Sequence, residues 1–268
     1  MASLPPVLSI AGSDPSGGAG IQQDIKTFTS LGCYGMACVT ALTVQNSLGV
    51  EDVEPVDADL VARQVKAVLG DTTPVVIKTG MLANAAIVEA VAGLIPPASM
   101  LVVDPVMVST SGTGLLDEPG RDAALDLLFP GATLVTPNIP EAEYLSGLKI
   151  EDLSGMKAAA LSISERIAMK GRVPALLLKG GHMEGDEKVD LLFHRGEFFF
   201  FRHGGKANAD VHGTGCLLSS AAAAFLAHGE DVRDAAADAI AFTGRAIEKA
   251  FRADSGGMAA VPCASPVS

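Results

Sequence analysis

A threonine set between two glycines, directly ahead of an alanine-rich run, gives Val211-His212-Gly213-Thr214-Gly215-Cys216 its chemical interest. Leu217-Leu218-Ser219-Ser220 and Ala221 to His228 read on from it as a helix. The turn therefore presents backbone N–H groups at a helix start, where unsatisfied donors and a partial positive charge attract an anion such as a phosphate. Cys216 stands where a side chain can reach both that anion and whatever attacks it. A second group of polar residues closes short apolar runs: Gly12, Gln45, Thr79, Asp104, Asn138 and Lys179. Lysine with backbone N–H groups neutralises a phosphoryl group in transfer, and Asp104 with Glu141 offers carboxylates to Mg²⁺. Asn138 and Glu141 are three apart and share a helix-start face. Each also has a plain structural use: Asp104 before Pro105 can cap a turn, and Glu141 can complement a helix dipole. Asp24 near the start of the first helix can look back over a glycine-rich loop or serve the dipole in the same way.

The elements that must place these residues alternate. Apolar strands are expected at Val7–Ile10, Met36–Val44, Val75–Ile77, Met100–Val103, Thr133–Val135 and Ala175–Leu178, with a hairpin from Val189–Phe193 to Glu197–Arg202. Helices are expected between them: one carrying Ile21, Ile25, Phe28 and Leu31, one running to Leu69 after a cap at Asp57 or Asp59, and others over Ala85–Leu94 and Arg121–Leu128. Ser154–Met169 and Val232–Phe251 complete the set. Short continuous apolar strands alternating with amphipathic helices specify an α/β fold with a largely parallel sheet covered on both faces. In such sheets ligands bind beyond the carboxyl ends of the strands, where the polar residues above fall. Residues 1–254 read as one domain, and the Gly/Ala/Pro/Ser-rich 255–268 as a flexible tail.

The formal net charge of −12 and the absence of a basic cluster argue against nucleic acid or an anionic membrane as partner. They leave room for a phosphorylated small molecule. The four cysteines show no CxxC or metal-type spacing, no signal peptide is evident and no apolar run reaches membrane-spanning length. A reduced cytoplasmic protein is expected. No Walker-type Gly-x-x-x-x-Gly-Lys-[Ser/Thr] is present, which disfavours ordinary P-loop chemistry.

Ala11-Gly12-Ser13-Asp14-Pro15-Ser16-Gly17-Gly18-Ala19-Gly20-Ile21-Gln22-Gln23-Asp24-Ile25-Lys26-Thr27 closely resembles the opening signature of the hydroxymethylpyrimidine/phosphomethylpyrimidine kinases of thiamine biosynthesis. Five later segments match in order: Thr40 to Asn46, Lys78-Thr79-Gly80-Met81-Leu82, Asp104-Pro105-Val106-Met107, Thr136-Pro137-Asn138 with Glu141, and His212 to Cys216. The resemblance implies a ribokinase-like three-layer α/β/α sandwich with a small hairpin. It also implies two successive ATP- and Mg²⁺-dependent phosphorylations of an aminopyrimidine alcohol and a homodimer. By the same resemblance Gly12, Asp24, Gln45, Met81 and Val108 belong to the pyrimidine pocket. Asp104, Asn138, Lys179 and Thr214 lie on the nucleotide side, with Asp104 and Glu141 toward the metal. Gly213, Gly215, Cys216 and Lys179 form the anion hole and catalytic position.

Two departures stand out. The wider ribokinase family has an aspartate base where Cys216 stands; a helix N-terminus lowers a thiol pKa, but a phosphate bound at the same turn opposes a thiolate. The stretch Arg202 to Asp210, with Lys206, matches nothing in the pattern. A vitamin B6 kinase is the competing enzyme reading, since it shares the fold and a similar pocket. A catalytically silent pyrimidine-binding protein is the competing non-enzyme reading, and a dinucleotide-dependent enzyme is weaker because the glycine spacing is wrong.

Overall fold

The computed structural model describes residues 4–109, 112–180, 187–204 and 211–262. Strand β1 (Pro6–Ser13) leads through a glycine-rich loop to α1 (Gly20–Ser30), and β2 (Tyr34–Asn46) folds back as β3 (Gly49–Pro55). There follow α2 (Ala58–Asp71), β4 (Val76–Thr79), α3 (Ala85–Ala92), β5 (Met100–Val103), α4 (Glu118–Ala123) and β6 (Leu134–Val135). Then come α5 (Ile139–Ser146), α6 (Leu153–Ala168), β7 (Ala175–Leu178), β8 (Glu187–His194) and β9 (Glu197–Gly204). The last elements among the described residues are β10 (Val211–His212), α7 (Thr214–Ala227), α8 (Val232–Glu248), β11 (Phe251–Arg252) and β12 (Met258–Ala259).

The main sheet has nine strands in the order β3-β2-β1-β4-β5-β6-β7-β8-β9. Its six inner strands, β2, β1, β4, β5, β6 and β7, pair in parallel, and β3, β8 and β9 join antiparallel at the two ends. The fold is the expected α/β/α arrangement. Leu8, Ile10, Ile77, Leu101, Val103, Val135 and Leu176 pack on one face against Val61, Val65, Ile87, Val91, Met156 and Ile163 of α2, α3 and α6. Val7, Val76, Val102, Leu134 and Leu177 pack on the other against Phe28, Leu217, Ala221, Ala239 and Phe242 of α1, α7 and α8. Adjacent strand residues go to opposite faces because side chains alternate with period two.

That alternation positions the site. Counting two residues on from Val7, Val76, Val102, Leu134 and Leu177 gives Ser9, Lys78, Asp104, Thr136 and Lys179. All five point to the side covered by α1 and α7, and Lys179 alone of them is not buried outright.

Three expectations need correction. The turn after Gln45 and Asn46 opens a strand, β3, whose Glu51-Asp52-Val53-Glu54-Pro55 is polar because it is an edge with little to bury. The last helix stops at Glu248, before the expected Phe251, which begins a strand. Residues up to 262, expected in a flexible tail, are built into the fold: β12 pairs with β10 and β11, and Ala260 O accepts from Gln23 Nε2 at 3.3 Å. The unmatched Arg202 to Asp210 stretch lies outside the described residues from 205 onward, as do 263–268.

Candidate active site

Two glycine-bearing loops meet where β1 and β10 end. Gly213, at φ +78°, is the N-cap of α7, and a Cβ there would run into the carbonyl oxygen of Gly18. The left-handed conformation and the close approach both require glycine. Asp14 organises the facing loop. Its Oδ1 accepts from the N and Oγ of Ser16, each at 2.8 Å, and its Oδ2 from Ala19 N at 2.7 Å. His212 Nε2 lies 3.0 Å from the same Oδ2, so the residue before the anion turn is tied to the opposite loop. Burial works against the Asp14 charge, yet the bonds from His212 and Ser16 hold its carboxyl below the usual range.

Under the turn sits an ion pair. Lys179 Nζ is 3.0 Å from Asp104 Oδ1, which also accepts from Thr136 Oγ1 at 3.1 Å; Oδ2 accepts from Ser219 Oγ of α7 at 3.1 Å. A Cβ on Gly215 would lie 3.3 Å from Lys179 Nζ and 3.9 Å from Asp104 Oδ2, so the glycine leaves the ammonium uncovered beside the helix start. Burial opposes both charges. The ammoniums of Lys179 and Lys78 outweigh it for Asp104, whose pKa is lowered, and the carboxylates of Asp104 and Glu141 outweigh it for Lys179, whose pKa is raised.

Glu141 is buried and forms a capping box with Asn138. Asn138 N donates to Glu141 Oε2 at 2.8 Å, and Glu141 N to Asn138 Oδ1 at 2.9 Å. Burial and the neighbouring Asp104 push its carboxyl up. No cluster of three or more metal-ligating side chains exists among the described residues. Two hard carboxylates beside a lysine do suit a hydrated Mg²⁺, which takes one or two protein oxygens and completes its shell with phosphate and water.

The structure brings Gly213, Gly215, Lys179 and Asp104 together, with Thr214 and Cys216 half-buried in the first turn of α7. It also brings Gly12 against Met81, since a Cβ on Gly12 would lie 3.0 Å from the Met81 sulfur. Met81 is held by Thr40 Oγ1, which donates to its carbonyl at 2.6 Å, and packs with Ala41 and Leu115. Gln45 stands half-buried on β2 opposite Val50, and Val108 is exposed on the loop bridged to Gly114. Thr79 is wholly buried, below the rim on which the sequence placed it.

Asp24 is the main correction. Its carboxylate is fully buried and taken up by Lys78, Ser9 and Ser220, so it offers no edge to a heterocycle. At Cys216, burial pushes the thiol up to about 11, overriding the nearby Lys78 charge and a hydrogen bond with Gly20, which favours the protonated form. Lys78, Ser219, Ser220, Thr136 and His212 were missed as partners, although the period-two count would have found Lys78 and Thr136.

The phosphomethylpyrimidine kinase family matches residues 14–261. The chain belongs to that family. It is 39% identical over 257 residues to a hydroxymethylpyrimidine/phosphomethylpyrimidine kinase of Bacillus subtilis, covering 95% of this chain and 93% of that protein. It is 44% identical over 246 residues to the thiamine biosynthesis bifunctional protein ThiED of Geobacter sulfurreducens, covering 91% of this chain but spanning only 49% of that longer protein. Among solved structures, the phosphomethylpyrimidine kinase of Clostridium difficile superposes with a TM-score of 0.76 at 38% identity over 91% of this chain and 99% of that one. The pyridoxal kinase of Staphylococcus aureus in complex with AMP-PCP and pyridoxal gives 0.85 at 33% identity over 99% and 96%. No described helix is long and apolar enough to cross a membrane.

Proposed function

We propose that this family member transfers the γ-phosphoryl group of ATP to the hydroxymethyl oxygen of 4-amino-5-hydroxymethyl-2-methylpyrimidine, and then a second phosphoryl group to the monophosphate. The observation that carries this reading is the Gly213–Cys216 helix start, set above the Lys179–Asp104 pair and left open by Gly215. In the first transfer the bond between the γ-phosphorus and the bridging oxygen of ADP breaks as one to the alcohol oxygen forms. In the second the acceptor is a phosphate oxygen.

The chain's part is positioning and charge. Backbone N–H groups of the turn and the Lys179 ammonium receive the equatorial oxygens, and Asp104 fixes that ammonium. A magnesium ion carried with the nucleotide would be held through Asp104 and Glu141 and would neutralise the phosphates. Asn138 orients Glu141. On the pyrimidine side Gly12 leaves room for the ring, Met81 covers it and Gln45 supplies a donor and an acceptor to its polar edge, with Val108 at the mouth. Cys216, protonated, serves as a relay that gives its proton to a phosphate oxygen as it takes the alcohol's. In a loose transition state the alcohol becomes acidic only late, so no stronger base is needed. The homodimer is part of this proposal, with the outward Leu42 and Val44 of β2 as the apolar face a second copy would cover; a cytoplasmic setting fits the free thiols of Cys33, Cys38 and Cys216.

Pyridoxal is the competing acceptor, favoured by the likeness to the Staphylococcus aureus enzyme. Steady-state kinetics separate the two. The pyrimidine alcohol should show the higher kcat/KM, and Gln45→Leu should raise its KM far more than that of ATP. A higher kcat/KM for pyridoxal, or an unmoved pyrimidine KM in the variant, rejects the assignment.

A further inference from the structure

Beneath the anion turn lies a second buried ion pair that the transfer chemistry above does not use. Lys78 Nζ is 2.9 Å from both Oδ1 and Oδ2 of Asp24, and neither side chain is exposed. Ser9 Oγ donates to Asp24 Oδ2 at 2.5 Å, and Ser220 Oγ donates to Oδ1 at 2.6 Å. One carboxylate from α1 thus ties together β4, β1 and α7.

The next residue back on α7 repeats the device. Ser219 Oγ lies 3.1 Å from Oδ2 of Asp104, which pairs with Lys179, and shares its one proton between that carboxylate and the carbonyls of Gly215 and Cys216 in its own helix. Consecutive helix residues point about 100° apart, so α7 is held by two adjacent hydroxyls on two separate Lys–Asp pairs. Each ammonium lies under a glycine: a Cβ on Gly80 would come within 3.1 Å of Lys78 Nζ, as one on Gly215 would within 3.3 Å of Lys179 Nζ. Ser220 is four residues after Cys216 and so stands on the same helix face, one turn below it.

Stability does not account for the inner pair. Replacing a buried ion pair by apolar side chains of similar volume is often neutral or stabilising, whereas a fixed pair specifies one arrangement of the elements it joins. We propose that Lys78, through Asp24 and Ser220, is a positioning residue for phosphoryl transfer: it sets the height and rotation of the first turn of α7, and with them the aim of the Gly213–Cys216 N–H groups. This rests on the reading of that turn as the transfer site. A misplacement of about 1 Å costs on the order of 10²-fold in rate.

The test compares wild type, the charge-neutral double variant Asp24→Asn/Lys78→Met and the single variant Ser220→Ala. Melting temperature, circular dichroism and steady-state kinetics with ATP and the pyrimidine alcohol are read on each. The double variant should melt near wild type and lose roughly ten- to a hundredfold in kcat, with both KM values within about twofold; Ser220→Ala should move the same way to a smaller extent. A folded double variant with wild-type kcat overturns the proposal, as does a rise in KM alone or a rate loss that only tracks the unfolded fraction. Should the double variant fail to fold, Ser220→Ala decides, and an unchanged kcat overturns the proposal. A wild-type protein without transfer activity would reject the kinase reading instead, so the two failures are distinct.

Discussion

With its thiol pushed up to about 11 by burial, Cys216 is almost wholly protonated at neutral pH. Its alkylation by iodoacetamide should therefore be slow at pH 7 and rise roughly tenfold per pH unit up to about pH 10, the thiolate being the nucleophile. Peptide mass mapping is needed, because Cys33 and Cys38 are also pushed up to about 11. A rate that is already level near pH 7 would show a resting thiolate and contradict the protonated relay. At this scale the sequence was partly legible. Gly213, Gly215, Lys179 and Asp104, which the structure brings together, could be singled out because loop glycines and strand-end charges stand out in a chain of apolar strands. Asp24 was misplaced because its type and position near a helix start suit a ligand contact, while its partners Ser9 and Ser220 are 15 and 196 residues away. No local pattern reports such pairings.

The loop-to-helix junction is where local backbone chemistry decides function. Gly213→Ala would place a methyl at φ +78° against the Gly18 carbonyl. It should cost about 1–3 kcal/mol in strain, or push the two loops apart. Chemical denaturation should show the loss, and kinetics a fall in kcat larger than after the same change at Gly112. Gly112 is also at positive φ but has open space around its missing Cβ. Equal effects at both positions would reduce Gly213 to an ordinary turn glycine. The inner strands and most helices could be read because their apolar runs are continuous. The edge strand β3 could not, since an edge buries little and its sequence is that of a loop. Strands β11 and β12 are two residues each; β12 pairs with β10 and β11 pairs with β12, partners that no local pattern reports.

Across the whole molecule, the loop that closes on the anion turn should also govern acid stability. The carboxyl of Asp14 is held below its ordinary 3.8 in the folded chain. A depressed folded pKa contributes stability that is complete above the unfolded value and fades as pH falls through the folded one. Below about pH 4 the melting temperature should therefore drop, and Asp14→Asn should flatten that drop while lowering the neutral-pH value. An unchanged acid limb in the variant would show that Asp14 is not titrating there. The order of the nine strands was not legible, because period and length identify strands without saying which neighbours they choose. That order is nevertheless what brings Ser9 and Lys78 level in the sheet and sets Asp104 on the adjacent strand end. The account as a whole stands on two phosphoryl transfers at one site, and product stoichiometry tests that most directly. The pyrimidine alcohol is incubated with excess ATP and Mg²⁺, and ADP and pyrimidine products are followed by mass. The account predicts the monophosphate first, then the diphosphate, with two ATP consumed per alcohol at completion. Consumption that stops at the monophosphate, or no phosphorylated pyrimidine at all, would contradict it.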